Sequence, residues 1–308
     1  MIIMNEEKLV SVIIPTYKRP DTLLRTIQSV LNQTYKNIEI IIVDDNAPDS
    51  IDRKYTESMM EKFKYHENVK YIKHEYNKNG SAARNTGFKN SNGQYIMFLD
   101  DDDEFLPRKV SSQVERMDSL DETWGACYTK YIRKKNGVTV VYGAENREGK
   151  LLKQELMRNL FIHAGSNLMV RRSIVEELNG FDETFSRNQD VEFLSRLLMK
   201  YKLAFVNELG LIVHVHEKVL TNISFEQITQ DYIKKFSQVI DQFDEKDKNE
   251  IYMMINLQLF RHYITSKGKR MKAIRQLINN EITLNTAIKY IRHLIFRKIN
   301  KKAYGFKI

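Results

Sequence analysis

The sequence predicts an α/β fold: a mostly parallel sheet flanked by helices, followed by a C-terminal helical region. Over the first hundred residues, short β-rich apolar runs alternate with stretches of helical spacing, the pattern of strands joined by helical crossovers. The run Tyr95-Ile96-Met97-Phe98-Leu99 is apolar throughout, as a strand covered on both faces must be. Polar and acidic residues come directly after these runs, where open α/β sheets bind ligands at the carboxyl ends of their strands.

Residues 9–15 form the first β-rich run. Leu23, Leu24, Ile27, Val30 and Leu31 then recur at helical spacing within 21–33, and 38–44 is a second apolar run. The pattern repeats with a helix over 55–63, a strand over 69–74, a helix over 81–89 and a buried strand over 95–100. Right-handed crossovers between such strands give a parallel sheet. Beyond residue 216, helices are expected over 225–243, 249–266 and 271–296.

A chain of 308 residues that is 42% hydrophobic and 29% charged is long and apolar enough to bury one large core or two smaller ones. Its one cysteine, Cys127, excludes an intramolecular disulfide and a thiolate metal cluster, and reads as a core residue of a protein from a reducing compartment. The N-terminal residues lack the pattern of a secretory signal, and no run of about 18 apolar residues occurs. A cytoplasmic protein without a spanning segment is expected.

The net charge of +9 does not indicate a nucleic-acid partner. From residue 267 onward there are twelve Lys or Arg and one acid, Glu281, so the rest of the chain is slightly acidic. In this tail Leu284, Ile288, Ile291, Ile295 and Ile299 recur at helical steps among basic residues. That is a basic amphipathic helix, which either packs its apolar stripe on the protein or lies on an anionic membrane surface through residues 284–302. No nucleic-acid module and no interleaved aromatic platform accompanies it.

Four strand ends converge on one candidate site: Pro15-Thr16-Tyr17, Asp44-Asp45-Asn46, Arg84-Asn85, and the run Asp100-Asp101-Asp102-Asp103. Adjacent carboxylates repel, and a cation or a set of donors is expected among them; hard oxygen ligands suit Mg2+ or Mn2+. Neither a glycine-rich dinucleotide fingerprint nor a P-loop lysine follows the first strand. Lys18-Arg19 is only a faint basic loop.

From about residue 10 to about 216 these residues resemble the inverting family 2 glycosyltransferases with the GT-A fold. The resemblance is carried in order by Ser11-Val12-Ile13-Ile14-Pro15-Thr16-Tyr17, Ser29-Val30-Leu31-Asn32-Gln33-Thr34, Ile40-Ile41-Ile42-Val43-Asp44-Asp45, Ala83-Arg84-Asn85-Thr86-Gly87, Phe98-Leu99 with the four aspartates, Gly180-Phe181-Asp182-Glu183 and Asn188-Gln189-Asp190.

The resemblance implies a GT-A catalytic domain over 1–217, with a nucleotide-sugar half to about 107 and an acceptor half over 108–217, then a basic helical region over 218–308. Pro15, Thr16, Tyr17, Asp45, Arg84, Asp100 and Asp101 are expected at the nucleotide sugar. Within the aspartate run Asp102 is favoured as metal ligand and Asp103 is the alternative, with His216 completing the shell of Mn2+ or Mg2+. Asp190 matches the family's catalytic base, and Gln189 stands where many members have an acid.

Gly165, Ser166 and Asn167, together with Gln189, are expected at the acceptor, and Trp124, Tyr128 and Tyr131 are candidates for stacking on a sugar. The implied reaction moves a sugar from a nucleotide-sugar donor, a UDP-sugar by preference, to a hydroxyl of a saccharide or lipid-linked saccharide in bacterial surface polysaccharide synthesis. Such a protein is cytoplasmic or peripheral on the cytoplasmic membrane face, and a homo-oligomer is compatible with the sequence. A nucleotide-sugar-binding protein without turnover and a metal-dependent nucleotidyltransferase are the competing readings.

Overall fold

In a computed structural model of the chain, residues 7–185, 187–216 and 224–308 are described. They fall into two compact units: one takes in the chain up to Val140 with Asn146–Lys150 and Ile162–Val215, the other Val141–Glu145, Leu151–Phe161 and the chain from His216. The segments 141–145 and 151–161 thus belong to the second unit, although they lie in the stretch 108–217 of the sequence. The expected boundary at 217 and 218 lies outside the described residues.

The first unit starts with β1 (Val10–Thr16), α1 (Pro20–Leu31), β2 (Ile38–Asp44), α2 (Ile51–Met60), β3 (Val69–Lys73), α3 (Gly80–Lys89) and β4 (Tyr95–Phe98). β1 lies parallel to both β2 and β4, and β2 parallel to β3. Val12, Ile13, Ile14 and the facing Ile40, Ile41 and Ile42 are wholly buried, which is why these runs carry no polar alternation.

The chain continues through β5 (Glu104–Phe105), α4 (Lys109–Asp118), β6 (Trp124–Lys135) and β7 (Val138–Gly143), which leads into the second unit, where α5 (Leu152–Leu156) lies. Back in the first unit are α6 (Ala164–Asn167), β8 (Met169–Arg171), α7 (Arg172–Glu177), α8 (Gln189–Leu198) and β9 (Lys202–His214). β8 is antiparallel to both β4 and β6, so the parallel sheet ends at β4; β9 runs parallel to β6 and antiparallel to β5.

Two glycines explain local motifs. A Cβ on Gly87 would stand 2.3 Å from Ile13 Cγ2, so α3 packs against the sheet only with glycine there. Gly180 has φ +67° and approaches the Asn85 side chain, which accepts from Phe181 N at 2.8 Å and donates to Phe181 O at 2.9 Å. This clamp seats Phe181 in a stack with Phe193, ring centroids 4.6 Å apart, beneath Arg84. The segment Gly180-Phe181 therefore holds α3 and the stretch leading to α8 in register.

The second unit contains α9 (Phe225–Ile240), α10 (Glu245–Thr265), α11 (Arg270–Ile278), α12 (Leu284–Ile299) and β10 (Lys302–Ala303), which pairs with the end of β7. Its core includes Tyr232, Phe236, Ile251, Ile255, Leu257 and Tyr290. The single helix expected over 271–296 is two: Asn280 takes φ +56°, and the Thr283 side chain caps α12 by accepting from Thr286 N. Of the two alternatives for the apolar stripe of α12, most of it is not packed on the protein. Leu284, Ile288, Ile295 and Ile299 are exposed, while Ala287 and Tyr290 are buried.

Candidate active site

The candidate site is a cleft of about 630 Å³ within the first unit, at the carboxyl ends of β1, β2 and β4 and the N-termini of α3 and α8. Pro15, Thr16, Tyr17, Asp45, Arg84, Asp100, Asp101, Gly165, Gln189 and Asp190 all line it. Residues up to 175 positions apart in sequence, Pro15 and Asp190, are thus brought together.

The aspartate run is accommodated by sending its four carboxylates to different partners. Asp100 Oδ1 accepts from Arg84 Nη2 at 2.6 Å. Asp101 Oδ2 accepts from the Thr16 hydroxyl at 2.8 Å and Tyr17 N at 3.3 Å. Asp102 pairs with Arg19. Asp103 meets His163 Nε2 at 3.1 Å and accepts from His214 N at 3.2 Å. The Thr26 hydroxyl fixes the loop by bonding the carbonyl oxygens of Asp101 and Asp103.

The run is still under strain of charge. Burial, opposed by Thr16 and Arg19, raises the Asp101 carboxyl to about 6. Burial and the neighbouring Asp103 and Asp100 raise Asp102 to about 7 against the pull of Arg19. Burial disfavours the His163 imidazolium, but Asp103, Asp100 and Asp190 outweigh it and hold the ring above its ordinary value.

Among the described residues, Asp100, Asp103 and His163 can each bring a ligand atom within 4.8 Å of the others. Two carboxylates and an imidazole suit a divalent cation such as Mn2+ or Mg2+. This group contains Asp103 and not Asp102, whose carboxylate is taken by Arg19, a residue the sequence marks only through the faint Lys18-Arg19 loop. His163 stands where His216 was expected. β9 ends at His214, which meets Glu104 at 2.5 Å, and His216 is exposed beyond the strand in the second unit.

Asp45 is nearly fully buried and accepts from four donors: His74 Nδ1, Lys78 N, Asn77 Nδ2 and Asn79 N, at 2.7 to 3.0 Å. Those donors place the Asn77–Asn79 stretch along the cleft wall. Asp44 is wholly buried and tied to Arg53 at 3.0 Å and to the Tyr71 hydroxyl at 2.5 Å, so it braces the sheet. His74 Nε2 in turn meets the Thr86 hydroxyl at 2.9 Å. The sequence gives no periodic signal for His74 or Asn77.

Gly165 separates two acids. A Cβ built on it would lie 3.2 Å from Asp100 Oδ2 and 3.6 Å from Asp190 Oδ2, so the missing side chain leaves both carboxylates room to face the same space. Asp190 sits in the first turn of α8, after Asn188 in the left-handed region at φ +54°. Gln189 Oε1 accepts from Arg84 Nη1 at 3.2 Å. Arg84 Nε is buried with no hydrogen-bond partner among the described residues.

Two residues expected at the acceptor are instead scaffold. Ser166 and Asn167 are wholly buried. Ser166 Oγ accepts from Asp100 N at 3.1 Å. Asn167 binds Lys109 Nζ at 2.6 Å and the Thr129 hydroxyl at 2.8 Å through its Oδ1, and donates to Thr129 O and Ile162 O. Tyr128 and Tyr131 are buried core residues, and Trp124 is partly buried against the core with Lys202 over its ring. Cys127 is buried, its thiol pushed up to about 12 by burial.

The family model described as Glycosyl transferase family 2 matches residues 11–179. An uncharacterised glycosyltransferase of Rickettsia typhi is 30% identical over 231 residues, covering 72% of this chain and 69% of that protein. WfaP of Escherichia coli, a UDP-Glc:alpha-D-GlcNAc-diphosphoundecaprenol beta-1,3-glucosyltransferase, is 38% identical over 47% of this chain and 56% of its own length. WfgD of Escherichia coli, named for the same reaction, is 27% identical over 82% of this chain and 92% of its own length.

Among solved structures, TarS residues 1–349 of S. aureus in complex with UDP matches with a TM-score of 0.64 at 16% identity, covering 95% of this chain and 88% of that one. At that identity the likeness concerns the fold, a curled α/β sheet flanked by helices. The matched residues 11–179 exceed half the sequence, and the chain belongs to glycosyltransferase family 2.

Proposed function

We propose that the chain is an inverting glycosyltransferase that moves a sugar from a UDP-sugar to a hydroxyl of a lipid-linked saccharide in bacterial surface polysaccharide synthesis, working at the cytoplasmic face of a membrane. The observation that carries this reading is the meeting of Arg84, Asp100 and Asp190 around Gly165 in one cleft. The names of WfaP and WfgD supply the acceptor class, and the UDP bound to TarS the nucleotide.

Pro15, Thr16 and Tyr17 line the side of the cleft suited to a flat base, and Asp45, its acceptor sites filled by four protein donors, fixes the Asn77–Asn79 wall beside them. Arg84 lines the cleft beside Asp100, where a guanidinium suits a phosphate oxygen. Asp100, Asp103 and His163 are the residues that would hold Mn2+ or Mg2+. When bound, such an ion neutralises the diphosphate charge that grows as the nucleotide leaves.

Asp190 takes the proton from the acceptor hydroxyl while that oxygen attacks the anomeric carbon from the face opposite the nucleotide, inverting it. Such proton transfer is worth about 10² to 10⁴ in rate. Gln189 adjoins Asp190 and meets Arg84, so it adds an amide and no charge next to the base.

The test is calorimetric titration of UDP, GDP and dTDP, with and without Mn2+, on the wild type, Asp103→Ala and Asp102→Ala. Metal-dependent UDP binding lost in Asp103→Ala is expected. No metal-dependent nucleotide binding in the wild type overturns the metal assignment, and no nucleotide binding overturns the donor assignment.

A further inference from the structure

We propose that α12, assisted by α11, docks the protein on an anionic phospholipid bilayer through an exposed row of apolar side chains. The inference deepens the lipid-linked acceptor reading and rests on it. An amphipathic helix ordinarily hides its apolar stripe against its own fold, and α12 does not. Its protein-facing side is made of Ala287 and Tyr290, whereas Leu284, Ile288, Ile295 and Ile299 are 64, 47, 53 and 74% exposed. Their spacing of four, seven and four residues keeps them on one line along the helix.

α11 has the same design. Its buried residues are Ala273 and Gln276, while Met271, Ile274 and Ile278, at steps of three and four, are 63, 45 and 71% exposed. Scattered exposed leucines need no explanation, but consecutive helices with ordered exposed rows mark a surface that is covered in use.

Charge decides what covers it. Lys289, Arg292 and Lys298 are exposed on α12, and no carboxylate among the described residues pairs with them. From residue 267 onward the only acid is Glu281. A second copy of the chain would set these cations against their like. An anionic bilayer accepts both features, taking the apolar row at the acyl boundary and the cations at the headgroups. A lipid-linked acceptor is presented at just such a surface. Each basic side chain near the headgroups is worth about fivefold in partition.

The experiment is flotation of the full chain with phosphatidylcholine vesicles, with and without phosphatidylglycerol. Three proteins are compared: the wild type, the apolar-row variant Ile288→Ser with Ile295→Ser and Ile299→Ser, and the charge variant Lys289→Gln with Arg292→Gln and Lys298→Gln. The wild type is expected to float with the anionic vesicles and weakly with the neutral ones. The apolar-row variant loses about tenfold or more, and the charge variant loses the preference for phosphatidylglycerol.

Melting temperature and UDP titration are read on every variant, so a misfolded variant or a failed donor site is told apart from a failed docking surface. The proposal is overturned if the wild type does not float, if neither variant changes flotation, or if light scattering shows a dimer that the apolar-row variant dissolves.

Discussion

Arg84 Nη2 lies 2.6 Å from Asp100 Oδ1, and this pair joins α3 to the loop after β4 at the floor of the cleft. Arg84 is 10% exposed at its side chain and Asp100 35%, so the arginine is held in the protein while the carboxylate opens to the cleft and is partly screened by solvent. The same guanidinium reaches Gln189 Oε1 and stacks over Phe181. One residue thereby couples the aspartate run, the start of α8 and the aromatic layer beneath them.

Arg84→Lys is therefore not conservative. A lysine supplies one point charge where the fork serves Asp100 and Gln189 together. Turnover is expected to fall about 10²-fold, with UDP affinity down about tenfold, because a bidentate contact is worth about 1.5–3 kcal/mol. Calorimetry with UDP and steady-state kinetics check this; unchanged affinity would remove Arg84 from the nucleotide.

Gln189→Glu tests the meaning of the neutral amide. A carboxylate at 189 would compete with Asp100 for Arg84 and place a charge beside Asp190. The expected outcome is a rise in the pH at which turnover reaches half its maximum, since a neighbouring anion makes a base harder to deprotonate. A pH profile identical to that of the wild type would show that Gln189 does not sense the base.

Gly165→Ala places a methyl group 3.2 Å from Asp100 Oδ2 and 3.6 Å from Asp190 Oδ2. One carboxylate must give by a few tenths of an ångström, and misplacing reactive groups costs rate out of proportion to stability. Turnover is expected to fall about tenfold, with the melting temperature within about 3 °C of the wild type. Gly165→Val is expected to be worse on rate. A large loss of stability in the alanine variant, with normal turnover per folded molecule, would contradict this account.

The strands β1, β2 and β4 were legible because their apolar runs are buried on both faces, and α1 because it keeps its apolar spacing. The convergence of Thr16, Asp45 and Asp100 was legible because the carboxyl ends of neighbouring parallel strands must meet; Arg84 joins them from the first half of α3. What the sequence hid is which polar atoms are spent on the scaffold. Ser166 and Asn167 look like pocket residues because small polar residues in a turn usually face solvent, yet they are buried and bind backbone and Lys109. The pairing of Asp102 with Arg19 and of Asp103 with His163 depends on loop geometry that no periodicity encodes. In α12, apolar spacing correctly marked the helix but not its buried side, because Ala287 and Tyr290 carry the packing.

Lys109 opens α4. It is wholly buried, and its Nζ donates to Asn167 Oδ1 at 2.6 Å, Thr129 Oγ1 at 3.1 Å and Asn167 O at 3.2 Å, and no carboxylate among the described residues pairs with it. Burial lowers its amine to about 7 from the usual 10.5. Between those values the unfolded chain holds a proton that the folded chain lacks, so stability rises with pH across this window, by up to about 1.4 kcal/mol per pH unit. Below about 7 both states are protonated, and this contribution is flat.

Lys109→Met keeps the volume and removes the titration. Denaturant unfolding of both proteins between pH 6.5 and about 9 is expected to give a rising difference, with the wild type gaining relative to the variant as pH increases. Parallel curves would mean that Lys109 stays charged in the fold, held by its three oxygen acceptors strongly enough to offset its burial.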